Sequence, residues 1–411
     1  MRLTNTLLLM TILPLATAAV ANPANPAADG AAEAEARLQR YTGDVPGAAL
    51  LVLRDGEPVL RRTVGLADVA SGTPITPATN FRLASVSKQF TAAAVLLLAQ
   101  DGRLHLDDPV RRWLPELPAN AEGVTLHHLL SHTSGLHDYE DLMPAGFQGQ
   151  VRDADVLCLL ADGLPCAGDG GRAPDGETTF TADAAAKPPA SRAADAAADA
   201  AGGDDTAGAV AGAPYFVPGS AYRYSNSGYA LLALVVERAA GRPYPEVLRE
   251  RIFTPLGMEH SVAFVDGRNT VPTRAFGHSA DGAGWRRTDQ STTSAVLGDG
   301  GIYSSIDDLA KWDAALSDDR LLSDASRALA FSPQTTTPTG EDDVAAYGYG
   351  WRIDGRGGLW HSGETIGFRN VILRWPAQRL TVVMLTNRND PEPHADARAI
   401  GEAFLREAAA R

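Results

Sequence analysis

The chain is short of lysine. Among 411 residues, Lys and Arg together number 36, yet only Lys88, Lys187 and Lys311 are lysines. Against them stand 50 Asp and Glu, giving a formal net charge of −14. That balance speaks against nucleic acid or an anionic membrane as the main partner, because both reward clustered positive charge. Cysteine is nearly absent as well, with Cys158 and Cys166 the only two. No CxxC or HExxH pattern occurs, and the adjacent His127 and His128 would point to different sides of a helix, so neither a metal nor another cofactor is expected. In an oxidising compartment the two cysteines could close a disulfide loop worth roughly 2–3 kcal/mol; two unpaired thiols are the alternative.

Long apolar runs are also missing. Past the N-terminus no stretch reaches the ~18 consecutive apolar residues of a spanning helix. The opening, MRLTNTLLLMTILPLATAAVANPA, places Arg2 ahead of an apolar stretch from Leu7 to Val20 and the small residues Ala19-Val20-Ala21. This is the pattern of a cleavable signal peptide over residues 1–21, too short and too broken by Pro14 for a membrane anchor. The expectation is a periplasmic or secreted monomer, with 22–32 as a flexible lead-in and one domain from 33 to 411.

What is present suggests an α+β architecture. Hydrophobic residues make up 45 % of the chain, enough for one large core or two modest ones. GAALLVLRDGEPVLRRTV, residues 47–64, reads as two strands around an Asp55-Gly56 turn. YGYGWRID, GLWHSG, FRNVILRW and LTVVMLTN repeat that texture near the C-terminus, before a helical tail over 393–409. From Ser85 to Gln100 the pattern is apolar nearly all round (Phe90, Ala94, Leu97, Leu98), which predicts a buried helix stopped at Gly102. Strands at both ends and helices between predict an antiparallel sheet built from both termini with a mainly helical region inserted. Residues 167–213 stand apart: 18 of these 47 are alanine and eight are acidic. Such a segment cannot bury enough surface to offset its ordering entropy and is expected to be a disordered insert.

Three short motifs carry chemistry. Ser85-Val86-Ser87-Lys88 puts a hydroxyl one helical turn ahead of a lysine, in the field of a helix N-terminus. A serine needs a neighbour to take its proton, and a desolvated lysine can do that; an ordinary helix cap is the competing reading. Tyr224-Ser225-Asn226 precedes an apolar helix. Its phenol could act as general base and its amide could hold a substrate carbonyl, or the stretch is a turn with a packed tyrosine. His361-Ser362-Gly363 falls on an edge-type strand, where glycine admits a close backbone and the Glu364 amide can face an oxyanion. A surface hairpin is the alternative.

In this order, Ser-x-x-Lys, Tyr-x-Asn and His-x-Gly resemble the motif set of the penicillin-recognising serine hydrolases. The version here is similar to the class C β-lactamase branch, which includes D,D-carboxypeptidases, D-aminopeptidases and esterases. LHLDDPVRRWLPE, LHHLLSHTSGL and GDGGIYSSIDDLAKW agree with it, the last as a Gly-rich site loop before a helix capped by Ser305 and Asp308. The resemblance implies a β-lactamase/transpeptidase-like catalytic domain. It implies Ser85 as acylated nucleophile, Lys88 and Tyr224 as its activators, and Asn226 and His361 as orienting groups. Gly363 would admit the substrate, and the amides of Ser85 and Glu364 would form the oxyanion hole. Arg369, one tight turn past the HSG strand, is a candidate clamp for a substrate carboxylate, or else a surface ion pair. Histidine in place of lysine in the third motif resembles peptidase and esterase members more than dedicated β-lactamases. The substrate is left open among small peptides, β-lactams and esters, and a catalytically silent penicillin-binding-type protein is the reading from another class. The insert, whose far end leads into Tyr224, is expected to hang near the cleft as a spacer or a lid.

Overall fold

The computed structural model describes residues 26–166, 213–338 and 344–409. The expected signal peptide and nearly all of the 167–213 insert lie outside the described residues. The first element is helix α1, Pro26–Leu38, which begins inside the stretch expected to be flexible. It is held because Ala34 and Leu38 are buried in the same apolar cluster as Ala397, Ile400 and Phe404 of the C-terminal helix α7, His394–Ala409.

Strands β1, Ala48–Arg54, and β2, Glu57–Val64, form the first hairpin. Asp55 and Gly56 both have positive φ, +55° and +80°, the backbone that a two-residue turn between right-twisted strands requires. The remaining sheet strands are β3, Thr335–Thr336, β4, Ala346–Tyr347, β5, Arg352–Ile353, β6, Leu359–Thr365, β7, Phe368–Trp375, and β8, Leu380–Thr386. Their spatial order is β3-β4-β5-β6-β7-β8-β1-β2, antiparallel throughout. β1 therefore lies beside β8, and the two ends of the chain close one sheet.

Alternation assigns the faces. Leu50, Val52, Val371, Leu373, Val382 and Met384 pack under α1 and α7. Their neighbours Ala49, Leu51, Leu53, Ile372, Val383 and Leu385 belong to the larger core beneath the inserted helices. Those helices include α2, Lys88–Gln100, α3, Asp153–Asp162, α4, Asn226–Ala240, α5, Leu297–Gly300, and α6, Ile306–Ala315. Helix α2 is buried from Lys88 to Leu98, as its all-round apolar pattern implies. Its start differs from expectation: Ala84–Ser87 is a 3-10 turn and the α-helix begins only at Lys88. Ala84 has φ +49°, a left-handed conformation costly for a residue with a side chain, immediately before Ser85.

Cys158, on α3, is disulfide-bonded to Cys166 with the Cα atoms 5.3 Å apart, which anchors the chain just before the insert. No helix among the described residues is long and apolar enough to cross a membrane.

Candidate active site

Ser85 sits half-buried on its turn, while Lys88, one turn on, is fully buried. Lys88 Nζ lies 3.0 Å from Ser85 Oγ, 2.7 Å from Asn226 Oδ1 and 3.2 Å from the main-chain oxygen of Asp299. Two of these partners are carbonyl oxygens, which only accept. A neutral amine has two N–H bonds and one lone pair. If it donates to Asn226 and Asp299, its lone pair is left for the Ser85 hydroxyl proton.

Burial moves Lys88 toward that neutral form. Burial pulls the Lys88 pKa down to about 8; Asp299, Asp138 and Glu140 oppose the shift and Arg352 adds to it. Asp299 is itself buried, its carboxyl pushed up to about 7, and Tyr139 OH donates to its Oδ2 at 3.2 Å. The loop carrying Asp299 is tied down by Asp153, whose carboxylate accepts from the amides of Leu297 and Gly298 at 2.9 Å each.

Asn226 opens α4 and is held on three sides. Its amide N donates to Asp138 Oδ2 at 2.6 Å and its side-chain Nδ2 to Glu140 Oε1 at 3.3 Å, which turns Oδ1 toward Lys88. Tyr224, two residues earlier, has its ring centroid 4.9 Å from Lys88 Nζ. The same ring packs 4.3 Å from His132 and 6.1 Å from His361, with the Arg352 guanidinium 5.3 Å from its centroid.

His361 is fully buried on β6. Its Nδ1 donates to the Ser362 carbonyl at 2.7 Å, so Nε2 accepts from Tyr347 OH at 3.0 Å. Burial, then Arg352 and Lys88, hold its pKa well below 6.5, so the ring is neutral near pH 7. Past Trp360, β6 pairs only with β7 among the described residues, leaving its other edge without a strand partner. A β-carbon on Gly363 would lie 2.0 Å from the Leu83 carbonyl oxygen, so only glycine lets the strand reach the Ser85 turn.

Ser85, Lys88, Tyr224, Asn226, His361 and Gly363 thus converge, and Glu364 follows on the same strand. Arg369 does not join them. It alternates with Phe368, Asn370 and Ile372, which face the helical core, and so points to the α1/α7 side of the sheet. There its Nη1 donates to the carbonyls of Thr365 and Phe368 at 2.9 Å, with Glu364 and Glu392 each 3.8 Å from Nε. The clamp assignment is corrected accordingly: this side chain braces the β6–β7 hairpin from the far face. A guanidinium beside Tyr224 is that of Arg352, which motif spacing does not single out. His132, Tyr347 and the carbonyl of Asp299 were missed too, although HTSG and GDGG had marked the first and last by resemblance.

The beta-lactamase family description matches residues 28–405. Penicillin-binding protein 4* of Bacillus subtilis is 28 % identical over 85 % of this chain and 69 % of its own length. The D-aminopeptidase of Gluconobacter oxydans is 28 % identical over 89 % of this chain and 60 % of its own. Esterase EstB of Burkholderia gladioli is 38 % identical over 52 % of this chain and 45 % of its own. The chain thus spans from under half to about two thirds of the length of these relatives. Among solved structures, a penicillin-binding protein from Bacillus halodurans superposes with a TM-score of 0.67 at 26 % identity, over 90 % of this chain and 98 % of that one. The D-amino acid amidase of Ochrobactrum anthropi reaches a TM-score of 0.68 at 22 % identity, over 93 % of this chain and 98 % of that one, a likeness of fold. With the match spanning nearly every described residue, the chain belongs to the beta-lactamase family and is a serine hydrolase.

Proposed function

We propose that this protein is an exported hydrolase that cleaves an amide, peptide or ester bond through an acyl-enzyme on Ser85. The observation that carries the reading is the surroundings of Lys88 Nζ, where two carbonyl acceptors leave one lone pair for Ser85. Ser85 Oγ attacks the substrate carbonyl as its proton passes to Lys88. Tyr224, beside the lysine, carries a proton on to the leaving amine or alcohol. The amides of Ser85 and Glu364 receive the oxyanion, and water then hydrolyses the ester in the reverse sense. Intact-protein mass after mixing with a p-nitrophenyl ester or a fluorescent penicillin tests this: an adduct on the wild type, absent from Ser85→Ala, is expected. A silent binding protein would show no turnover with any substrate.

Charge placement bears on the acyl group. Asp138 and Glu140 border the Asn226 side, which suits a substrate carrying an amine, as a D-amino-acid amide does. On the Tyr224 side the cation is Arg352. These two features favour an amidase or aminopeptidase role over simple ester hydrolysis. A panel of D-alanine amide, a D-alanyl-D-alanine peptide, nitrocefin and short esters ranks the alternatives; highest kcat/KM on esters lacking an amine would reverse the order. Export rests on the pattern of residues 1–21, and a mature N-terminus after Ala21 in the periplasm or medium is its test.

A further inference from the structure

We infer that His132 is a positioning residue for Tyr224, a clip that sets the tyrosine against Lys88. The chain that resumes after the insert is laid onto residues 132–135: Tyr215 N donates to Gly135 O at 2.8 Å, Gly219 N to Thr133 O at 2.8 Å and Arg223 N to His132 O at 3.0 Å. One contact comes from a side chain, with Ser225 N donating to His132 Nδ1 at 3.1 Å. His132 therefore grips the residue before Tyr224 with its main chain and the residue after it with its ring. Between the two grips the ring packs on Tyr224 itself, with centroids 4.3 Å apart and planes 37° apart.

The clip is held rigid at some cost. His132 has φ +58°, an uncommon conformation for a non-glycine residue, and this lets one residue present both its carbonyl and its ring to the same strand of chain. Its side chain is walled in by Tyr222, Tyr229 and Tyr347, and only 1 % of the residue is exposed. Accepting from Ser225 puts the ring proton on Nε2, a buried atom with no hydrogen-bond partner among the described residues. Burial, Lys88, His361 and Arg352 all disfavour the imidazolium, so His132 packs on Tyr224 as a neutral ring. A buried, strained residue with an unsatisfied N–H is a poor choice for stability alone. Fixing a catalytic phenol justifies it, since ångström-scale misplacement of such a group costs on the order of 10²-fold in rate.

The inference rests on Tyr224 belonging to the machinery, and a double-mutant cycle separates the two claims. Acylation is followed in single turnovers of a p-nitrophenyl ester by wild type, His132→Ala, Tyr224→Phe and the double variant, with folding checked by circular dichroism. His132→Ala should slow acylation by roughly 10–100-fold when Tyr224 is present and by less than about threefold in the Tyr224→Phe background. His132→Asn, which tolerates positive φ and keeps an acceptor for Ser225, should recover part of the loss. Equal losses in both backgrounds, or no loss in a folded His132→Ala, would overturn the clip. If His132→Ala does not fold, the same cycle is run with His132→Asn, and absence of coupling to Tyr224 has the same meaning. Full activity of Tyr224→Phe alone would instead remove Tyr224 from the mechanism.

Discussion

Gly363 and Leu83 meet where no side chain fits: a β-carbon on the glycine would stand 2.0 Å from the Leu83 carbonyl oxygen. That approach seats the edge of β6 on the turn bearing Ser85. Gly363→Ala must displace one of them, and overpacking of this kind costs about 1–3 kcal/mol. The expected outcome is a lowered Tm together with slowed acylation. Unchanged values of both would mean that the two backbones do not need this contact.

Lys88 and Tyr224 share one proton path. Lys88→Ala and Tyr224→Phe should each slow acylation by ~10²–10⁴, the range for general acid–base groups. Because they act together, the double variant should be little worse than the slower single one. Multiplying losses in stopped-flow acylation would assign them to separate steps.

The pH dependence follows from the sign of the Lys88 shift. Burial disfavours the ammonium, so the pKa falls from 10.5 to about 8, and the deprotonated form is the base. Raising pH removes that proton, so kcat/KM for a neutral ester should climb through the region of pH 8 and then level. The Asp299 carboxylate stabilises the ammonium, so Asp299→Asn should move the climb to lower pH. A shift to higher pH would contradict this account of the lysine.

Arg369 and Arg352 separate by substrate. Arg369→Ala removes two donors to hairpin carbonyls and should lower stability while affecting a D-alanyl peptide acid and its amide equally. Arg352→Leu should penalise the acid more than the amide, by about 1.5–3 kcal/mol if its guanidinium meets the carboxylate. The opposite pattern in kcat/KM would return the clamp to Arg369.

Excision of residues 170–210 should leave folding and small-ester hydrolysis largely intact. The flanks are fixed independently, by the Cys158–Cys166 disulfide on one side and by Tyr215 on Gly135 on the other. Shortening a loop between fixed ends changes closure entropy only slightly. A large fall in Tm would show that the segment packs.

Local chemistry carried much of this protein in its sequence. Asp55-Gly56 dictates a hairpin, the apolar run after Lys88 dictates a buried helix, and Ser85-x-x-Lys88 puts amine and hydroxyl one turn apart wherever the turn lies. Only the tertiary structure decided which distant groups complete the site. Asn226 reaches Lys88 across 138 residues and the Asp299 carbonyl across 211, through loops whose paths no local pattern fixes. The misplacement of Arg369 has the same root. FRNVILRW is covered on both faces, so it reads as a nearly continuous buried run and its alternation does not reveal which side each residue takes. His132 was hidden for a further reason: its role comes from a left-handed backbone and a returning chain more than 80 residues away. Residue types set what chemistry is possible here, and packing of the two sheet faces and the returning loops selected which residues perform it.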